Sequence, residues 1–303
     1  LDRDPASKNL FMNSRLQDGT STPVQYIHYT LRIASAMCFI GHGTFGIITK
    51  AVWCNYFGVF GVGHDLAYRL MPILGTADIL MGISLLVYPT RAILAWLVVW
   101  GIVTATLRPL SGEPFAELIE RAGNFGAPLA LLLLSGSGGP TLRGWFMRID
   151  PDTGTTPDAG AYPGHRSDTS LTARPPDERA LARVRICLRI VVFLLLVGHG
   201  WLNLVEKKGL LSQYQALGFS NPARTALYAG LFEMLAAVAI LIRPVRPLLM
   251  VLIVWKMASE LFYPHWELFE WIERGGSYGS LLALWMVTRE NVKGVIHRRL
   301  QGA

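Results

Sequence analysis

Four long, predominantly apolar stretches constrain this chain more than any other feature: Leu31 to Thr49, Leu70 to Tyr88, Ile186 to Leu204 and Ala226 to Ile242. Crossing the roughly 30 Å hydrocarbon core of a bilayer takes about 20 such residues in a helix. Ala92 to Leu107 and Pro247 to Phe262 are slightly short. Phe125 to Leu134 and Tyr278 to Val287 are shorter still, so each must tilt or borrow the amphipathic turn before it. The expectation is an all-α integral membrane protein with about eight spans. Composition agrees, because a chain that is 51% hydrophobic and 16% charged is too apolar for a soluble domain.

The net charge of +7 does not point to nucleic acid, since the basic residues border apolar spans instead of forming one polar surface. They read as topology signals. One side of the expected bundle carries 18 lysines and arginines (Arg3 to Arg32, Arg91, Arg143 to Arg185, Arg243, Arg246 and Arg289 to Arg299), and the other carries 8. The positive-inside rule places the richer side, with both termini and the linker, in the cytoplasm of a bacterial-type inner membrane. Glu113, Glu117, Glu120, Glu267, Glu270 and Glu273 then fall on the outer side. No apolar signal core precedes the first span, and the opening Leu1 in place of Met points to trimming or a partial chain. Cys38, Cys54 and Cys187 show no CxxC spacing, which argues against a disulfide relay.

Self-comparison shows a duplication. Leu31-Arg32-Ile33 followed by Gly41-His42-Gly43 returns as Leu188-Arg189-Ile190 followed by Gly198-His199-Gly200 at a constant offset of 157. At an offset of 155, Asp78 matches Glu233, Pro89 and Arg91 match Pro244 and Arg246, Trp100 matches Trp255, and Pro109 matches Pro264. At 153, Glu120-Arg121-Ala122-Gly123-Asn124-Phe125-Gly126 aligns with Glu273-Arg274-Gly275-Gly276-Ser277-Tyr278-Gly279. Each copy holds an even number of spans, so the copies are expected to be parallel repeats, two tandem four-helix bundles related by a pseudo-twofold axis along the membrane normal. The expected division is a cytoplasmic tail 1–30, a first repeat 31–135, a linker 136–184 rich in Gly, Pro, Ser and Thr, a second repeat 185–288 and a basic tail 289–303. Trp145-Phe146-Met147 in the linker either docks on the bilayer surface or packs on a neighbouring element.

The order and spacing of these elements resemble the DoxX and DoxD-like family of four-helix membrane proteins. The resemblance rests on Arg189-Ile190 leading to Gly198-His199-Gly200, on Glu233, and on Trp255 through Glu260 to the run from Glu273 to Gly279. It implies a membrane subunit of a redox or electron-transfer complex with a link to quinone, packed beside other membrane subunits. It carries over no catalytic constellation.

Ionisable groups within hydrocarbon cost about 2.5 to 3.5 kcal/mol each on insertion scales, so they face bundle interiors and are candidates for function. At a rise of about 1.5 Å per residue, His42 and Asp78 both lie roughly 15 Å from the cytoplasmic edge, and His199 and Glu233 sit at the same depth. Lys256 shares that depth, with Glu260 a turn further out, whereas their counterparts in the first copy are Gly101 and Ala105. This asymmetry points to the second copy as the active one. There His199, Glu233, Lys256 and Glu260 would bond a quinone carbonyl and exchange protons, or would pin helices together. His42, Asp78 and His199 are the cofactor-binding candidates. His42 and His199 at equal depth also fit axial ligation of one haem iron, and each fits a chlorophyll-type magnesium, as lesser alternatives.

On the outer side, Pro264-His265-Trp266 to Glu273 and its counterpart Glu113 to Glu120 either close an outward-facing pocket or receive a periplasmic partner, or, as the favoured reading, form interfacial amphipathic helices anchored by Trp266 and Trp271. No phosphate loop, hydrolase triad or Cys/His zinc constellation is present in the sequence. The leading expectation is therefore a redox-complex subunit and, where enzymatic, a quinone-linked oxidoreductase subunit. The alternatives are a non-catalytic scaffold or a small-solute transporter, the latter disfavoured by the lack of a visible inverted repeat or broken helix.

Overall fold

A computed structural model describes residues 23–136, 141–149, 151, 178–262 and 267–301. Among them the chain forms thirteen helices. The first half contains α1 (Pro23–Ile47), α2 (Trp53–Gly58), α3 (His64–Val87), α4 (Arg91–Leu110), α5 (Ala116–Glu120) and α6 (Ala122–Leu134). A short α7 (Leu142–Phe146) follows, and the second half repeats the series as α8 (Glu178–Leu204), α9 (Lys208–Ala216), α10 (Pro222–Ile242), α11 (Arg246–Glu260), α12 (Glu267–Glu273) and α13 (Gly275–Gln301).

Three helices, α3, α4 and α10, are long and apolar enough to cross a membrane. Local signals set their ends. Thr90 accepts a hydrogen bond from the Ile93 backbone at 3.2 Å to start α4, and Asn221 accepts one from Arg224 at 3.0 Å, with Pro222 behind it, to start α10. At the other ends, Arg32 on α1 donates to the carbonyls of Leu85 (2.9 Å) and Leu86, closing α3. Arg189 on α8 closes α10 in the same way through Ile242 (2.9 Å) and Leu241. These carbonyls lack intrahelical partners, and a cation there also meets the negative end of the helix dipole.

The expected tail 1–30 lies mostly outside the described residues, as do 137–140, 150 and 152–177 of the linker. Where the linker is described, Arg91 holds it to the first half through the carbonyls of Gly136 (3.4 Å) and Gly144 (3.1 Å). Trp145, Phe146 and Met147 remain exposed on α7. The backbone of α13 stays helical to Gln301, through most of the stretch read as a separate tail.

The halves are not two separate bundles. α6 packs more extensively on α8 of the other half than on α1 of its own, and α13 packs more on α1 than on α8. The small helices cross over as well, α5 lying on α8 and α12 on α1. Glycine makes this possible, because small residues let backbones meet. A Cβ at Gly41 would stand 2.3 Å from the Glu273 backbone nitrogen, and one at Gly198 would stand 2.3 Å from that of Glu120.

The fourth apolar segment of each half borrows residues, as its length required, but not as one continuous helix. α5 ends at Glu120 and α6 begins at Ala122, with Arg121 between them at φ −85° and ψ 13°. α12 ends at Glu273 and α13 begins at Gly275. Each half thus holds a broken helix, with a Glu-Arg pair at the break, inside the protein. This corrects the expectation of unbroken helices. It also corrects the interfacial reading of the acidic runs, because Glu117, Glu120, Glu270 and Glu273 are all buried. Trp266 lies outside the described residues.

Candidate functional site

Depth arithmetic paired each histidine with the carboxylate of its own half, and the side chains meet in both. His42 Nδ1 lies 2.7 Å from Asp78 Oδ2, and His199 Nδ1 lies 2.6 Å from Glu233 Oε2. A small-residue helix crossing places each pair, since α1 meets α3 at Gly43 and Gly75 while α8 meets α10 at Gly200 and Gly230. The two histidines are thereby committed to separate carboxylates.

Around these equivalent pairs the halves differ. In the first, Trp100 on α4 donates its indole N–H to Asp78 Oδ1 at 2.8 Å, so both carboxylate oxygens are engaged. The His42 ring lies 4.7 Å from the Trp53 ring on α2. A cavity of about 130 Å³ opens beside this group. Aromatic rings of Trp53, Tyr56, Phe57, Phe60 and Trp100 wall it. Leu74 on α3 and Val103 on α4 form a side that faces outward between two sparsely touching helices. His42, Thr104, Arg108, Arg121, Asn124 and Glu273 supply its polar surface. Tyr56 donates to Glu113 at 2.5 Å, and burial raises its phenol above the ordinary range, which keeps it a donor.

In the second half the corresponding region is packed. Tyr214 and Gln213 on α9 and Lys256 and Glu260 on α11 are each at most 2% exposed. Tyr214 donates to Asn203 at 2.7 Å, Asn203 donates to Glu233 at 3.2 Å, and Gln213 donates to the Ser259 carbonyl at 2.6 Å. Lys256 pairs with Glu260 at 3.1 Å along its own helix, and Arg274 approaches Glu260 at 3.6 Å. Lys256 and Glu260 make no hydrogen bond or ion pair with His199 or Glu233, so the four residues expected to act together form two separate pairs.

Between the halves lies an ion-pair cluster that motif reading did not find. Glu120 is held by Arg121 at 2.7 Å and by Arg274, and Glu117 by Lys207 at 2.5 Å, Arg108 at 3.5 Å and Arg121 at 3.7 Å. Lys50 pairs with Glu270 at 2.6 Å. Glu273, the counterpart of Glu120, makes no hydrogen bond or ion pair among the described residues although it is only 5% exposed. The signal for this cluster was present in the repeated Glu-Arg at positions 120–121 and 273–274. No group of three or more His, Cys, Asp or Glu side chains suited to a metal occurs among the described residues.

Fold and site together define an all-helical protein with membrane-type helices and one aromatic cavity beside a histidine–carboxylate pair. No protein-family model, curated protein or solved structure matches the chain.

Proposed function

We propose that this protein is a membrane subunit of a redox or electron-transfer assembly that binds a quinone-class ring in the first-half cavity. The observation that carries this is the cavity itself, with aromatic walls, an outward side between two apolar helices and His42 backed by Asp78 within. Such a wall suits a flat ring. An outward side between exposed apolar helices suits a ligand that arrives through lipid. His42 would bond the ring oxygen, and Asp78 and Trp100 would fix the imidazole's orientation. Bound quinone supplies reversible electron and proton uptake.

In this reading the chain crosses a bacterial-type inner membrane about eight times, with α5–α6 and α12–α13 each counted as one broken span and the basic side in the cytoplasm. The resemblance to DoxX and DoxD-like proteins points the same way. The second half serves as scaffold, its charged pairs fixing helix packing, and other membrane subunits cover its outer helices. A transporter reading is favoured by one observation, the broken helix in each half.

The test uses matched substitutions in protein reconstituted in nanodiscs. Val103→Trp narrows the cavity rim, whereas Ala258→Trp makes the equivalent change where the interior is packed. Binding of a short-chain benzoquinone or of its hydroquinone, followed by anaerobic calorimetry, should be lost in V103W and unchanged in A258W. Binding that survives V103W, or none of either form in the parent protein, defeats the proposal. Substrate-gradient-driven uptake into vesicles with no quinone binding supports transport.

A further inference from the structure

The polar groups facing the first-half cavity are unequal in what they offer a ligand. Arg108 is occupied by Glu113 at 3.0 Å and Glu117, and Arg121 by Glu120 and Glu117. Asp78 is spent on His42 and Trp100. Two ionisable groups remain. His42 Nδ1 is engaged by the Asp78 carboxylate, which leaves Nε2 as the ring nitrogen available to a ligand. Glu273 contributes a buried carboxylate with no hydrogen-bond or ion-pair partner among the described residues, and an ionised carboxylate only accepts.

Resting on the reading of this cavity as a ring site, we propose that it selects a hydrogen-bond donor: an aromatic hydroxyl compound such as a hydroquinone, in preference to the oxidised quinone. Glu273, supplied by the second half, is the selecting residue. A hydroxyl meets Glu273 as donor to acceptor. A quinone carbonyl meets Glu273 as acceptor to acceptor, keeps only His42 and Asn124 as partners, and leaves that carboxylate without a hydrogen bond, which is costly. Position supports the assignment, because the Glu273 backbone is seated against Gly41, directly before His42 in the chain. The first-half cavity is thus complete only when the second half is docked on it. The counterpart carboxylate, Glu120, cannot play this part because two arginines already hold it.

The experiment compares three probes of one ring size by anaerobic calorimetry on the full-length protein in nanodiscs: trimethylhydroquinone, trimethylbenzoquinone and the dimethyl ether of the hydroquinone. The ether keeps shape and apolarity but has no donor. A hydrogen bond to a charged group corresponds to an expected preference of about tenfold or more for the hydroquinone over both other probes. In Glu273→Gln, whose amide offers an N–H to a carbonyl, that preference should shrink to about threefold or less. Equal binding of the three probes, or tighter binding of the quinone, overturns the inference while leaving the ring site standing. A preference that persists unchanged in E273Q overturns the role of Glu273. Failure of every probe to bind the parent protein overturns the ring site and the inference with it. The three-probe comparison on the parent protein needs no substitution, so it decides even where E273Q folds poorly.

Discussion

In the first half a histidine–carboxylate pair borders a cavity walled by aromatic rings; in the second half the same pair, at the same place in the same series of helices, borders Tyr214, Gln213, Lys256 and Glu260. The positions that carry Lys256 and Glu260 in one half carry Gly101 and Ala105 in the other. Read as letters, the charged pair marks activity and the small pair marks its absence. Read as volume and pairing, the inference reverses. The charged residues satisfy one another inside a packed half, while the half with small residues keeps a cavity, which Glu273 of the second half lines without a hydrogen bond or ion pair among the described residues. Buried charge is costly enough to require a reason, and a partner four residues away on the same helix is already one.

The largest effect should come from disturbing that pair. Lys256→Met alone leaves the buried Glu260 with Arg274 as its remaining cation, and breaking such a pair costs about 3 to 5 kcal/mol. Removing both charges, as Lys256→Met with Glu260→Gln, should cost far less, because no buried charge is then stranded. Denaturant titration in detergent micelles measures the difference. Ring binding in the first half should survive the double change. A single variant as stable as the parent protein, or a double variant that abolishes ring binding, would return the active role to the second half.

Next in size are the two glycines that seat the crossing helices. Gly41→Ala and Gly198→Ala each drive a Cβ into backbone at 2.3 Å, in mirror-related places. Overpacking of this kind costs about 1 to 3 kcal/mol, and the two losses should be similar. Their effects on the cavity should not be. Gly41 positions Glu273, which lines the cavity, whereas Gly198 positions Glu120, which is tied up by Arg121 and Arg274. G41A should therefore weaken hydroquinone binding in calorimetry and G198A should leave it intact. Equal weakening in both would mean that the cavity depends on the docking of the halves as a whole and not on Glu273.

What the sequence made legible was depth. Helical rise counted from Arg32 and Arg189 put His42 with Asp78 and His199 with Glu233, and those contacts exist because depth and a close helix crossing suffice to bring them together. Azimuth and volume were not legible. Nothing in the spacing of Gly41 or Gly198 says that the backbone seated there belongs to the other half, so the exchange of α5 and α12 between halves was missed. The break at Arg121 was hidden because Ala122 to Leu134 continues in an ordinary helical composition. Trp53 and Tyr56 gave no signal, since an aromatic pair in a short outer segment reads as interfacial anchoring. Gly101 and Ala105 carried a second reading that letters alone do not offer, since small residues leave volume where Lys256 and Glu260 fill it.

The smallest predicted effect tests the half of the comparison in which the two copies should agree. Arg32 and Arg189 each close their helix, α3 or α10, through two consecutive carbonyls of its last turn, the second pair set one residue further along than the first, far from the asymmetric interior. Replacing either with Gln removes a cation from a helix C-terminus and exchanges charged hydrogen bonds for neutral ones, at a cost of about 1 kcal/mol. Arg32 is 7% exposed and Arg189 more accessible, so water compensates the second loss better and R32Q should be slightly the more costly. Neither should alter ring binding. Similar small losses in unfolding titrations would show that duplication preserved the frame while the interior diverged. A markedly larger loss for one arginine would mean that the asymmetry reaches the C-terminal ends of α3 and α10, and that the cavity is only its most visible part.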